Sequence, residues 1–190
     1  MIRQLWTAPN QLTLLRLIFI PFIVINVIDG KYRWALLLFV LAGLSDALDG
    51  TLARALKQKT VLGQYLDPIA DKLLLSSLFL VLSLLHKIPW RVTILVFSRD
   101  ICIIAICAVL YATTSLREFR PSTFGKVNTL AQIVALFFVL LRQLSDATWV
   151  AVGRTVGLWA TFAFTLISGI HYIIITGQRL RAHEKSVPGA

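Results

Sequence analysis

The sequence is poor in acid. Nine Asp and Glu stand against 19 Lys and Arg in 190 residues, a formal net charge of +10. Charge of either sign is sparse, at 15% of residues, where soluble domains carry about 25%. Cysteine is nearly absent: Cys102 and Cys107 are the only two. They lie five apart in an apolar run, so they point to different helix faces and match no common zinc spacing. A disulfide framework is excluded, and both read as small apolar fillers. No solenoid-period repeat and no low-complexity segment is visible. The basic residues form no stripe with interleaved aromatics, which excludes nucleic acid as a partner.

What the chain has in excess is apolar surface. It is 57% hydrophobic, with a mean hydropathy of +0.79, against about 45–50% apolar for soluble domains. The excess is arranged in six runs of roughly membrane-spanning length. They are Leu12–Ile28, Trp34–Leu52, Pro68–Leu85, Val92–Ala112, Val127–Leu141 and Val150–Ile175. The first is interrupted by Arg16 and followed by no A-x-A-like site, so it reads as a retained helix. The expectation is an all-α integral membrane protein of six transmembrane helices. It forms one domain over residues 1–190, with a polar, flexible tail at 181–190. With six spans the termini share one side, which holds more Lys and Arg than the other, so the termini are expected in the cytoplasm. Trp6, Trp34, Trp90 and Trp149 fall near predicted helix ends, as interfacial anchors do.

Five of the few acids lie in or at the ends of these runs: Asp46, Asp49, Asp67, Asp71 and Asp100. Insertion of Asp at a helix centre costs about 2.5–3.5 kcal/mol. Pairing with Lys72, Arg54 or Arg99 accounts for one or two of them, not for two pairs. Asp46 and Asp49 are three apart, and Asp67 and Asp71 four apart, so each pair shares a helix face. Two such faces offer four carboxylates to one pocket, a set of hard oxygen donors suited to Mg²⁺ or Mn²⁺. Gly50, beside the carboxylates, lets a phosphate or nucleotide approach. Arg54, one turn on, is placed either to hold a pyrophosphate or to mark the membrane boundary. Gly63 permits close helix packing or serves the same site.

The stretch Asp46-Ala47-Leu48-Asp49-Gly50-Thr51-Leu52-Ala53-Arg54, followed by Gly63-Gln64-Tyr65-Leu66-Asp67-Pro68-Ile69-Ala70-Asp71, resembles the signature of the CDP-alcohol phosphotransferases. All eight fixed positions of D-x2-D-G-x2-A-R-x8-G-x3-D-x3-D are present. Pro9-Asn10-Gln11-Leu12-Thr13-Leu14-Leu15-Arg16 is similar to the family's first-helix opening, and Phe124-Gly125-Lys126-Val127-Asn128-Thr129 to its fifth-helix entry. The resemblance implies six transmembrane helices, a homodimer, and transfer of a phosphatidyl group from CDP-diacylglycerol to an alcohol with release of CMP. It implies that Asp46, Asp49, Asp67 and Asp71 hold Mg²⁺ or Mn²⁺, with Asp71 also the base for the acceptor hydroxyl. Gly50, Ala53, Arg54, Gly63, Asn10 and Thr13 would serve the CDP donor, and Arg16, Arg99 and Lys126 the acceptor.

The resemblance points to the phosphatidylglycerol-phosphate synthase and cardiolipin synthase branch. Glycerol-3-phosphate is the first expectation for the acceptor and phosphatidylglycerol the alternative. Ser98-Arg99-Asp100 departs from the Arg-Glu of phosphatidylglycerol-phosphate synthases and looks more like cardiolipin synthases. The expected location is a bacterial inner membrane, with the site facing the cytoplasm. Two other classes stand beside this reading. Intramembrane acids also suit an ion- or proton-coupled transporter, although no inverted repeat or pair of broken helices is visible. A scaffold would use its aspartates for pairing alone.

Overall fold

Long apolar runs can leave water only if their backbone is satisfied internally, which an α-helix achieves within one segment. A computed structural model describes residues 8–55, 61–113 and 123–186. Among these the elements are six α-helices: α1 Ala8–Ile28, α2 Tyr32–Ala55, α3 Val61–Leu84, α4 Trp90–Thr113, α5 Thr123–Arg142 and α6 Thr148–Ser186. Each contains one predicted apolar run, except that the third run ends one residue beyond α3, at Leu85. Two differences matter. Helix α3 begins well before Pro68, so the Gly63–Asp67 stretch is helical and Pro68 sits inside the helix. The proline lacks an N–H, which frees the carbonyl one turn earlier. Helix α6 is 39 residues long and runs to Ser186, through most of the expected flexible tail. Gln178, Arg179, Leu180, Arg181, Ala182, Glu184 and Lys185 are good helix formers, and their propensity carries the helix on where the apolar pattern stops.

The ends of α1 and α3 share one device. Gly30 has φ 71° and His86 φ 57°. Beside them the Lys31 N–H donates to the Asn26 carbonyl at 2.8 Å and the Lys87 N–H to the Leu82 carbonyl at 2.7 Å. A left-handed residue after the last turn brings the next N–H back onto an unpaired helix carbonyl. Glycine does this without steric cost, whereas histidine adopts the conformation with its Cβ crowded.

Backbone contacts group the chain into two units. One comprises Met1–Pro89 with Leu136–Arg154, the other Trp90–Ala135 with Thr155–Ala190. In the first, α1 packs on α2 and α3. Ile23, Val27, Ala35, Phe39, Leu78, Phe79 and Leu82 are among its buried residues. Near its other end, a Cβ added at Gly153 would meet the Phe138 ring at 2.5 Å, so a glycine is needed where α6 starts alongside α5.

The second unit contains an antiparallel seam between α5 and α6. Gly157 lies against Ala135, where an added Cβ would stand 3.0 Å from the Ala135 Cα. Two turns along α6, Thr165 Oγ1 donates to Asn128 Oδ1 at 2.9 Å. Thr161 and Gln132 lie between these levels, and all four polar side chains are buried. Small residues that let backbones close, with polar groups bonding across, are how helices associate where no water drives them together.

The outward faces are apolar. Ile104 and Trp159 are each 68% exposed, and Ile94, Ile101 and Ile170 are similarly open. Exposed apolar surface this continuous marks contact with something other than water. Among the described residues two stretches, Gly125–Arg142 and Thr148–Tyr172, are long and apolar enough to cross a membrane, with mean hydropathies of 1.4 and 1.5. Thr13–Ile28 and Tyr32–Ser45 are shorter apolar stretches. Trp34, Trp90 and Trp149 lie in first helical turns and are exposed; Trp6 lies outside the described residues.

Candidate active site

The paired aspartates occupy the second half of α2 and the first half of α3. Helical continuity through Pro68 keeps Asp67 and Asp71 one turn apart on one face of α3. Across from them, α1 carries Thr13 and Arg16. Thr13 Oγ1 donates to Asp67 Oδ1 at 2.5 Å, and Arg16 Nη1 to Asp71 Oδ1 at 2.5 Å. The two contacts join residues 54 and 55 apart in sequence. A near-constant offset means that α1 and α3 run parallel here, with their polar faces in register.

The burial of the partners is unequal. Thr13 and Arg16 are almost wholly enclosed. Asp67 is partly exposed, and the Asp71 side chain is 39% exposed against 1% for Arg16. The donors are thus sunk into the packing of α1, while the carboxylates keep an open side. A carboxylate oriented by a fixed hydrogen bond and accessible on its other side is prepared to take a cation or a proton. This donor chemistry fits a hard divalent ion. Among the described residues no three potential ligands converge. The side chains of Asn10, Asp46, Asp49, Gly50, Ala53, Arg54 and Gly63 lie outside the described residues, so the structure bears on their helical placement alone.

Arg99 and Lys126 belong to the second unit. Arg99 Nη1 donates to Asp100 Oδ1 at 2.8 Å, and its Nη2 to Ser168 Oγ at 2.7 Å. Lys126 is exposed in the first turn of α5. Of the cations read from sequence as partners for the acids, Lys72, Arg54 and Arg99, the structure pairs Arg99 with Asp100, and it adds Arg16, which the sequence reading gives to the acceptor. Asp71 takes Arg16, and Arg99 takes Asp100. The signal was present in the matched spacings of Thr13 with Arg16 and of Asp67 with Asp71, but only the parallel packing of α1 on α3 joins them. Ser168 carries no sequence signal that sets it apart from other helical serines.

The paired carboxylates on α3, each tied to α1, occupy the last two acidic positions of the eight-residue pattern. A family model described as CDP-alcohol phosphatidyltransferase matches residues 6–167. The chain belongs to that family. Its relatives within the CDP-alcohol phosphatidyltransferases carry two kinds of name. Human "Cardiolipin synthase (CMP-forming)" is 32% identical over 193 residues, covering 92% of this chain and 62% of that protein. The Bacillus subtilis "CDP-diacylglycerol--glycerol-3-phosphate 3-phosphatidyltransferase" is 30% identical over 193 residues, covering 93% of this chain and 98% of that protein. The Salmonella typhimurium protein of the same name is 35% identical over 175 residues, covering 88% and 93%. This chain therefore spans less than two thirds of the human cardiolipin synthase and nearly the whole of the Bacillus protein.

Proposed function

We propose that the protein transfers a phosphatidyl group from CDP-diacylglycerol to a hydroxyl of a glycerol-type acceptor, releasing CMP. The observation that carries this reading is the pair Asp67 and Asp71, held on one face of α3 by Thr13 and Arg16 within a complete family pattern. The names of the relatives support a glycerol-type acceptor, either glycerol-3-phosphate or phosphatidylglycerol.

In this reading Asp46, Asp49, Asp67 and Asp71 hold Mg²⁺ or Mn²⁺. The metal, when bound, neutralises the diphosphate and the charge that develops on departing CMP. Thr13 fixes Asp67. Arg16 fixes Asp71, whose partly exposed carboxylate takes the proton from the acceptor hydroxyl. The acceptor oxygen then bonds to the phosphorus that carries diacylglycerol, and the P–O bond to CMP breaks with its electrons leaving on CMP. Asn10, Gly50, Ala53, Arg54 and Gly63 serve the CDP end of the donor. Arg99 and Lys126 serve the acceptor. The lipid donor and the apolar outward faces support six membrane-crossing helices in a bacterial inner membrane. The larger number of Lys and Arg on the terminal side supports a site facing the cytoplasm. A homodimer remains part of the proposal through the family resemblance.

The test is CMP release by the purified chain with CDP-diacylglycerol and each acceptor. Release that requires an acceptor, stops on chelation and returns with Mg²⁺ or Mn²⁺ is the expected result. Full release in excess chelator refutes the metal-dependent reading. No release with either acceptor refutes the activity and leaves a transporter or scaffold as the rival.

A further inference from the structure

At one end of the first unit the cations outnumber the acids. Lys31, Arg33, Lys87, Arg142 and Arg154 lie in the turns after α1, α3 and α5 or within two helical turns of them. The acids of those turns are Asp29 and Asp146, and both have partners. Lys31 Nζ donates to Asp29 Oδ2 at 3.0 Å, and Arg142 Nη1 to Asp146 Oδ1 at 2.5 Å. Arg33, Lys87 and Arg154 have no carboxylate partner among the described residues.

Two of these three are held in place without being neutralised. Arg154 Nη2 donates to the Lys87 carbonyl at 2.8 Å, and its buried Nε has no hydrogen-bond partner among the described residues. A cation beside the last carbonyls of α3 complements the helix dipole, which accounts for Arg154 and not for the other two. Lys87 follows the left-handed His86, a conformation that few residues other than glycine adopt. Its Nζ stands over the Tyr32 ring, 6.0 Å from the centroid, at the outer limit of a cation–π contact. Arg33 is next to Tyr32 in the first turn of α2 and is exposed. Lys87 therefore links Arg154 on one side to the start of α2 on the other.

The flank below these cations is apolar. Ile28, Trp34, Leu84 and Trp149 are each more than half exposed. Uncompensated cations at the rim of an exposed apolar flank complement an amphiphile with an anionic head and alkyl chains. A zwitterionic head fits less well, because its ammonium needs a carboxylate and Asp29 and Asp146 already have cations. We propose that this end of the first unit binds an anionic phospholipid. Its phosphate sits on Lys87 and Arg154, Arg33 adds charge, and its chains lie along the exposed flank. Along α3 the site is about four helical turns from Asp71, so the lipid held there is a ligand and not a reactant. The inference goes beyond phosphatidyl transfer and needs only that the first unit lie in a bilayer.

The experiment measures binding to the full chain, purified in detergent, by native mass spectrometry. The probes are dioleoyl-phosphatidic acid, dioleoyl-phosphatidylethanolamine and inorganic phosphate. Phosphatidic acid is anionic and has no acceptor hydroxyl. Lys87→Gln removes the charge and leaves the backbone carbonyl that Arg154 holds. Arg33→Gln removes a charge from an exposed side chain, so neither variant depends on a core contact. Wild type should prefer phosphatidic acid to phosphatidylethanolamine. Each variant should weaken phosphatidic-acid binding about fivefold, the share of one cation at an anionic lipid surface, with phosphatidylethanolamine binding unchanged. Lys87→Arg should restore it. Four outcomes overturn the proposal: equal affinity for the two lipids, unchanged phosphatidic-acid affinity in both variants, inorganic phosphate that binds with the same dependence on Lys87, or CMP release that falls in parallel with lipid binding. The third makes this a free-anion site, and the fourth makes the lipid a reactant. Absence of CMP release in wild type removes the transfer reading and leaves the binding result standing.

Discussion

Replacing Thr13 by valine removes the hydroxyl that bonds Asp67 and keeps the volume of the side chain. The two side chains have nearly the same shape, Thr13 is fully buried, and its hydroxyl donates to Asp67 Oδ1 at 2.5 Å. A hydrogen bond to a charged group contributes about 1.5–3 kcal/mol. Asp67 is partly exposed, so water replaces part of that, and the lower end of the range applies. About 1.4 kcal/mol corresponds to a factor of ten. Loss of an orienting bond behind a metal-binding carboxylate typically lowers metal affinity about 10–100-fold. The expected result for Thr13→Val is therefore a rise of about tenfold or more in the Mg²⁺ concentration that gives half-maximal CMP release. The rate at saturating metal should recover much of its wild-type value, and Thr13→Ser, which restores the hydroxyl, should restore the metal dependence. The assay is CMP release titrated with Mg²⁺ at saturating donor and acceptor. An unchanged metal titration in Thr13→Val, in protein that is folded and inserted, refutes the argument that Thr13 prepares Asp67 for metal.

Three further outcomes are expected. Asp46→Asn, Asp49→Asn and Asp67→Asn should each abolish most CMP release in protein that still inserts, because an amide oxygen carries no charge and binds Mg²⁺ weakly; near-normal turnover in two of the three counts against the assignment. Asp71→Asn should lower single-turnover rate by about 10²–10⁴-fold with CDP-diacylglycerol binding largely kept, since the base acts on the acceptor proton in the transition state; parallel loss of donor and metal affinity would make Asp71 a ligand only. Gln132→Met should raise the unfolding temperature in detergent, because both ends of the buried Gln132 amide lack a partner among the described residues and relieving a buried unsatisfied group is worth about 1–3 kcal/mol; a fall in stability would show that Gln132 has a partner that the seam does not reveal.

The helices were legible because an apolar run of membrane-spanning length is a strong helix signal. The boundary at Pro68 was not. An apolar count begins where apolar residues become continuous, whereas α3 begins at Val61 and carries the polar motif within it. The end of α6 was not legible for the opposite reason. The apolar run stops at Ile175, yet helix propensity takes the chain on to Ser186. At the site, the spacing of Asp67 and Asp71 predicts a shared face, and the structure has it. The identity of their partners was not legible, since nothing in a single sequence sets the register of α1 on α3. The same limit applies to Gly169. A glycine in an apolar helix has many uses, and only the crossing of α4 and α6 places this one beside Arg99.

Three arginine–aspartate pairs among the described residues differ in how they are buried. Arg142 and Asp146 are one helical turn apart and 30% and 99% exposed, a surface pair worth little. Arg99 and Asp100 are 10% and 13% exposed. Both charges there have been desolvated, so the pair is closed, and its use is to immobilise the guanidinium. Arg16 and Asp71 differ from both, at 1% and 39%. A pair selected for stability alone would bury both members or neither, since a buried charge needs full compensation and an exposed one needs none. Here the cation is buried outright and the carboxylate is left half open. That arrangement orients the acid from its buried side and leaves it partly exposed, which is a condition a base or a metal ligand has to meet and a mere counterion does not.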